Sequence, residues 1–270
     1  MGKRKQKVDV SIVIPIFGMF NFLDKCIKSI PEACGDVTYE LILFDNASPD
    51  RDEAEAYYKS LEGMENLIVA RSNENIGFPK ACNSGASRGK ASLVFFLNSD
   101  VILEPSSIKS MVDKFQDPEI GIVGMKLLFP EDSVDGNRPS GKIQHVGLAT
   151  DIKGMFQHIF IGWGGENSKI DKLYEVPAVT GAAMMVRKKF WLRNSGFFEG
   201  YGLGTFEDVD LCYSAREAGY KVIVDVDAVG YHFTNATASH YKIPYPLREN
   251  RQIFLQRWGN KLQYDEWKVL

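Results

Sequence analysis

Several familiar signatures are missing from this chain, and each absence removes a class of function. No apolar run approaches the roughly 20 residues that a bilayer-spanning helix needs, and no apolar h-region follows the basic start at Met1–Lys7. The four cysteines, Cys26, Cys34, Cys82 and Cys212, show no CxxC spacing. Without an export signal, the simplest expectation is reduced thiols in a cytoplasmic protein. Neither GxxxxGK[ST] nor GxGxxG occurs, so neither a P-loop nor a dinucleotide fingerprint is present. Phosphate binding would then have to come from a metal rather than from a glycine cradle. Charge of one sign is also lacking: the net charge is -3, which argues against nucleic acid as a partner. There is no internal repeat and no low-complexity segment.

What remains is an ordinary globular composition, 44% hydrophobic and 25% charged over 270 residues, enough for one large α/β unit. The basic cluster Lys3-Arg4-Lys5-Gln6-Lys7 reads as a solvated tail. Its sharper reading is weak peripheral attraction to an anionic membrane surface at the inner face.

The first hundred residues alternate. Val10–Ile16, Glu40–Phe44, Leu67–Ala70 and Leu93–Leu97 are short apolar runs that read as buried strands. Between them lie helical patterns: Leu23, Cys26, Ile27 and Ile30 ending at Pro31, then Arg51 to Leu61 behind a Ser48-Pro49-Asp50 cap, then a small-residue helix opened by Asn75 and Gly77. Such alternation predicts a Rossmann-like α/β fold with a mainly parallel sheet and helices on both faces. In a parallel sheet the strand ends share one edge, where ligands bind. The second half is less regular. Ile120–Phe129 reads as a strand, Pro130–Gly141 as a loop, Phe160–Ser168 as a glycine-rich mobile loop around Trp163, and Val176–Val186 as an apolar, glycine-interrupted run. Glu207 opens a helix to about Ala218, closed by Gly219, and Lys221–Val226 is a last strand. No clean linker separates a basic tail (1–9), a first half (10–104), a second half (105–240) and a C-terminal extension (241–270).

The chemistry-bearing residues sit at the ends of these runs. Asn98-Ser99-Asp100 follows the fourth strand; it is either an ordinary turn or a set of oxygen ligands for a hard divalent cation. Asp45 ends the second strand, as a turn residue or as a carboxylate that accepts a nucleobase imide N–H. Glu207, Asp208 and Asp210 start a helix, where the macrodipole and free N–H groups stabilise carboxylates; one of them could instead be a general base. His232 ends the last strand. A lone histidine is usually structural, but an imidazole with a carboxylate suits Mn²⁺ better than Ca²⁺.

The order of these motifs resembles family 2 glycosyltransferases of the GT-A fold, from about Val10 to His232. SIVIPIF resembles the opening strand, whose end (Pro15, Phe17) contacts the nucleotide. FDNASPD resembles a DNxSxD segment that holds the base through Asp45. ENIGFPKACNSG, with Asn75, resembles NxGxxxAxN. FFLNSD stands in place of the metal-binding DxD. VTGAAMMVRKKF, with Thr180 and Gly181, resembles the segment lining the donor sugar. FEDVDLC resembles the ED segment, and DAVGYHF the strand whose His completes the metal site. The resemblance implies an inverting transferase taking a UDP- or dTDP-linked sugar to a saccharide or lipid-linked saccharide. It implies Asp208 as base, Mn²⁺ or Mg²⁺ on Asp100 and His232, and Glu207, Asp210 and Trp163 toward the acceptor. Trp191 reads as core. Asn98 departs from the family's first DxD acid, and an amide oxygen is a poorer ligand than a carboxylate. Two rivals stay open on the residues alone: a sugar nucleotidyltransferase, and a degenerate carbohydrate-binding domain. The first would usually carry a basic residue directly after the first strand, where Phe17-Gly18-Met19-Phe20 stands.

Overall fold

The computed structural model describes residues 8–131, 140–150, 153–166, 169–172, 174–233 and 236–262. The basic cluster and most of the Pro130–Gly141 loop lie outside them. In chain order the first half contains β1 (Val10–Ile16), α1 (Phe20–Cys34), β2 (Tyr39–Asp45), α2 (Arg51–Ser60), β3 (Leu67–Arg71), α3 (Phe78–Ala86), β4 (Leu93–Leu97) and β5 (Val101–Leu103). Then follow α4 (Ser107–Lys114), β6 (Ile120–Leu128), β7 (Ile143–His145), β8 (Leu148–Thr150), β9 (Phe156–His158), β10 (Ala183–Arg187), α5 (Lys188–Arg193), α6 (Glu207–Glu217), β11 (Lys221–His232), α7 (Ala236–Tyr241) and α8 (Leu247–Trp258).

One sheet runs through both halves in the order β3-β2-β1-β4-β10-β6-β11-β5, with β7 paired to β6. The β1, β2, β3 and β4 pairings are parallel, and so is β6 with β11. β10 runs antiparallel between β4 and β6. Because β10 opposes both neighbours, β6 points the same way as β4. The carboxyl ends of β1, β2, β3, β4, β6 and β11 therefore share an edge with the start of β10. The alternation of the strands feeds two cores. Ile12, Ile14 and Ile16 pack with Leu23, Cys26 and Ile27 of α1, whereas Val13 and Ile42 pack with Cys82 and Ala86 of α3. Each fully buried aliphatic side chain contributes about 1.5–3 kcal/mol.

Three local expectations change. Pro31 lies inside α1 rather than at its end. Proline removes only its own N–H, and the last turn still closes through the Gly35 N–H to the Pro31 carbonyl at 3.2 Å. The last strand runs on to His232 past an irregularity between Asp225 and Val229. The apolar Val176–Val186 run is strand only from Ala183. The Asp50 cap is as expected, accepting the Glu53 N–H at 2.9 Å.

Candidate active site

The shared edge carries a cleft of about 180 Å³. Pro15, Ile16 and Phe17 come from the end of β1, Asn46 and Asn75 from the loops after β2 and β3, and Asn98, Ser99 and Asp100 from the turn after β4. His232 comes from the end of β11, and Phe78, Leu203, Thr237, Ala238, Ile243 and Tyr245 complete the wall. Asn98-Ser99-Asp100 is a turn and a cleft wall at once. The Val101 N–H closes on the Asn98 carbonyl at 3.3 Å, and the same three residues line the cleft.

Asp100 and His232 are almost buried and face each other, with Asp100 Oδ1 3.3 Å from His232 Nε2. The other ring nitrogen, Nδ1, lies 2.7 Å from Gln144 Oε1, while Gln144 Nε2 donates to the His232 carbonyl at 2.8 Å. That pairing orients the amide so that Oε1 can only accept, and Nδ1 must carry the proton. Nε2 then turns a lone pair toward a carboxylate. Only a proton or a cation between them relieves the repulsion, and an outer hydrogen bond of this kind is how metal-ligating histidines are held. The residues fit a divalent cation as a two-ligand corner. No cluster of three or more His, Cys, Asp or Glu ligands occurs among the described residues, so diphosphate and water oxygens would supply the remaining ligands.

The two neighbours at the end of β2 face different ways. Asp45 is 0% exposed. Its Oδ1 accepts the Ser48 N–H at 2.7 Å, and its Oδ2 pairs with the Arg71 guanidinium. It presents no surface to the cleft, so the nucleobase contact expected of it is closed in this conformation. The cleft-lining neighbour is Asn46, held by the Ile76 N–H on its Oδ1 and donating to Asn75 Oδ1, both at 2.9 Å. Sequence reasoning passes over Asn46 although it stands inside the DNxSxD segment.

Asp208 lies just behind the cleft, at the first turn of α6. Its Oδ2 accepts the Gly181 N–H at 2.9 Å and its Oδ1 the Val209 N–H at 2.8 Å. Burial raises its pKa above the usual carboxylate value, and these N–H groups with the Thr180 hydroxyl act against that rise. Thr180 and Gly181 thus reach Asp208 itself. Behind them the Thr180 N–H meets Nε2 of the wholly buried His145 at 3.3 Å, and His145 Nδ1 lies 3.0 Å from that of His158. Burial first, then the neighbouring imidazoles of His158 and His232, push His145 well down, which keeps it neutral and able to accept. The order of motifs does not point to these histidines.

The turn that delivers α6 is strained. Thr205 and Phe206 both have positive φ, 79° and 70°, a conformation costing about 1–2 kcal/mol for each non-glycine residue. It is fastened by the buried Asn250 of α8, whose amide nitrogen reaches the carbonyls of Tyr201 and Gly204 at 2.9 and 2.6 Å and Thr205 Oγ1 at 3.0 Å. From the other side Gly77 packs so closely that a β-carbon there would stand 1.9 Å from the Gly202 carbonyl oxygen. Glycine is required on that ground and by its φ of 83°.

Two expected acceptor-side residues sit elsewhere. Asp210 is 1% exposed and wholly engaged. It accepts from Tyr201 Oη at 2.8 Å, Trp258 Nε1 at 2.8 Å and Arg257 at 2.6 and 3.2 Å. It ties α6 to α8 and has no oxygen left to orient a substrate. Trp163 packs under Phe160 with ring centroids 4.7 Å apart, against the core, and does not line the cleft. Trp191 is core, as expected, against Phe96 and Phe197.

A mainly parallel sheet with one antiparallel insertion, and polar strand ends gathered round a single cleft, is the GT-A architecture of glycosyltransferases. Residues 11–192 match the family described as Glycosyl transferase family 2, and the chain belongs to it. It is 28% identical over 92% of its length to the uncharacterized protein y4gI of Sinorhizobium fredii, and 26% identical over 87% to the O-antigen biosynthesis protein RfbC of Myxococcus xanthus. It spans 27% and 18% of those two proteins. Among solved structures it resembles GalNAc-T7 crystallised with UDP, GalNAc and Mn²⁺, with a TM-score of 0.65, 16% identity, and coverage of 84% of this chain and 43% of that one. Among the described residues no helix is long and apolar enough to cross a membrane.

Proposed function

We propose that this chain is an inverting glycosyltransferase domain that moves a sugar from a nucleoside-diphosphate donor to a saccharide or lipid-linked saccharide acceptor in surface-glycan biosynthesis. The observation that carries this is the convergence of Asn98-Ser99-Asp100 with His232 in one cleft, whose Phe78 wall packs near Gly181 and the backbone-held Asp208. Pro15, Phe17, Asn46 and Asn75 line the side where a nucleoside would lie, and Asp45 supports that wall through Arg71. A divalent cation, Mn²⁺ or Mg²⁺, held by Asp100 and His232 would offset charge on the leaving diphosphate. The Mn²⁺ and UDP of GalNAc-T7 and the O-antigen role of RfbC favour this donor and product class.

In the chemical step Asp208 takes the proton of an acceptor hydroxyl as its oxygen attacks the anomeric carbon, and the nucleoside diphosphate leaves from the opposite face. Gly181 and Val209 donate to its two oxygens, which opposes the rise that burial causes and fixes the direction of the carboxyl group, as general-base catalysis needs. Asn98 contributes an amide oxygen beside the cation corner.

Titration of UDP-, dTDP-, GDP- and CMP-sugars with Mn²⁺, with acceptor oligosaccharides present, tests the reading through release of free nucleoside diphosphate. Pyrophosphate release would point to a nucleotidyltransferase, and sugar binding with no release to a degenerate domain. Asp100→Ala should weaken nucleotide binding in Mn²⁺ but not in EDTA; equal weakening in both would remove the metal role.

A further inference from the structure

Two histidines stand behind the 180–181 segment, and no step above uses them. His145 ends β7 and is wholly buried, and His158 ends β9 and is half-buried. Neither lines the cleft. The Thr180 N–H meets His145 Nε2 at 3.3 Å, and His145 Nδ1 lies 3.0 Å from His158 Nδ1. A backbone N–H can only donate, so His145 Nε2 must accept. The single proton of the neutral ring is then on Nδ1, and it is donated to His158 Nδ1. His158 in turn carries its own proton on Nε2. No other order of protons satisfies both contacts without setting two hydrogens or two lone pairs face to face. A metal ion is another common reason for two imidazole nitrogens to meet. It would need a lone pair on both Nδ1 atoms, and His145, whose Nε2 already accepts, would have no place left for a proton. Among the described residues no third His, Cys, Asp or Glu completes a cluster there.

The segment that this pair holds is the one that touches Asp208. Thr180 and Gly181 precede β10, whose ladder starts at Ala183, so His145 rather than a neighbouring strand supplies the acceptor for the Thr180 N–H. On the other side the Thr180 hydroxyl and the Gly181 N–H both bind the Asp208 carboxyl, the second at 2.9 Å. The strands that carry the histidines are fixed by their own pairings, β7 with β6 and β9 with β8. A chain of contacts thus runs from rigid strands through His158, His145 and Thr180 to the carboxyl. Outer hydrogen bonds of this kind set the direction of an inner group.

We propose that His145 and His158 are positioning residues, a two-imidazole chain in one fixed tautomeric order that anchors Thr180 and Gly181 and through them aims the Asp208 carboxyl. The effect on turnover rests on the transferase reading above. The anchor itself does not.

Two-bond proton–nitrogen correlation spectra of the whole isotope-labelled chain, at about pH 8 where ordinary imidazoles are neutral, read the tautomers. His145 should be protonated on Nδ1 and His158 on Nε2, with and without EDTA, and His145→Gln identifies the His145 signals by their loss. A His145 protonated on Nε2, or a tautomer that changes with EDTA, overturns the proposal. The Gly181 amide resonance, which reports its bond to Asp208, should move in His145→Leu and stay in place in His145→Gln, whose amide can both accept and donate. Turnover is then followed as nucleoside diphosphate release with Mn²⁺, acceptor and the best donor. His145→Leu should lower kcat about ten- to hundredfold with donor KM unchanged, the size of a misplaced catalytic group. His145→Gln should stay within about threefold of wild type. The proposal is overturned if the glutamine variant loses as much as the leucine variant, if the leucine variant loses nothing, or if it raises donor KM in place of lowering kcat. A wild type that transfers no sugar takes down the transferase reading instead, and the tautomers and the Gly181 resonance then decide the anchor by themselves. Thermal melts show whether His145→Leu folds. If it does not, His158→Leu carries the comparison: a lowered kcat with a moved Gly181 resonance supports the chain, and an unchanged kcat overturns it.

Discussion

Glu207 and Asp210 lie one turn apart on α6, equally carboxylic and almost equally buried, yet their surroundings are opposite. Asp210 receives hydrogen bonds from a phenol, an indole and a guanidinium, while Glu207 has an oxygen with no donor among the described residues. Burial alone does not separate a carboxylate that holds the fold from one that does not. The count of donors does. Asp208, between them, is intermediate: held by backbone amides, so its direction is set, yet beside the cleft.

The sharpest way to break this comparison is through the base. Asp208→Asn should lower turnover about 10²–10⁴-fold while leaving donor affinity near wild type; near-normal transfer, measured by nucleoside diphosphate release, would take the role away from Asp208. Next in size is Asp210→Ala. It should cost about 3 kcal/mol of folding stability in denaturant titration, because Arg257 and Tyr201 lose a shared buried partner. Glu207→Leu should move the other way, raising stability by about 1 kcal/mol. If both variants destabilised alike, the distinction between the two carboxyls would collapse.

The smallest effect is a pH dependence. Glu207 is raised above its ordinary value near 4.5 in the folded protein, so the folded state binds its proton more tightly than the unfolded chain. Its contribution to stability is fully present below about pH 4.5 and is lost as pH rises through the elevated folded value. The melting temperature of wild type minus that of Glu207→Gln should therefore fall from acid toward neutral pH. A flat difference would mean that Glu207 ionises normally.

Most of the first half is legible in the order of residues alone. Its strands are apolar runs ended by polar residues, and a parallel sheet brings such ends together whatever the loops do. That logic puts Asn98, Ser99, Asp100 and His232 on one cleft, the family resemblance adds Pro15, Phe17 and Asn75, and all seven line it. It does not choose between Asp45 and Asn46, because adjacent residues at a strand end face opposite ways and only the partner, Arg71, decides which is inside. The second half is harder to read. β7, β8 and β9 are each three residues long, too short to show a period. The partners of Asp210 and of the 204–206 turn come from α8, more than forty positions along the chain, and no local pattern announces a contact at that distance. Trp163 misleads for a related reason: glycines around an aromatic suggest an exposed loop, but here they let the ring fold back onto Phe160.

The hold of Asn250 on the 204–206 turn has a consequence for how the domain ages and is cut. The sheet that forms the cleft is complete by His232, whereas the turn that aims Glu207 and Asp208 depends on a helix that follows it. Loss of that helix would take Phe254 and Trp258 out of the core and leave both Asp210 and the 204–206 turn without their α8 partners. The first turn of α6, and with it the carboxyl group of Asp208, is therefore set by residues that follow the sheet rather than by the sheet itself.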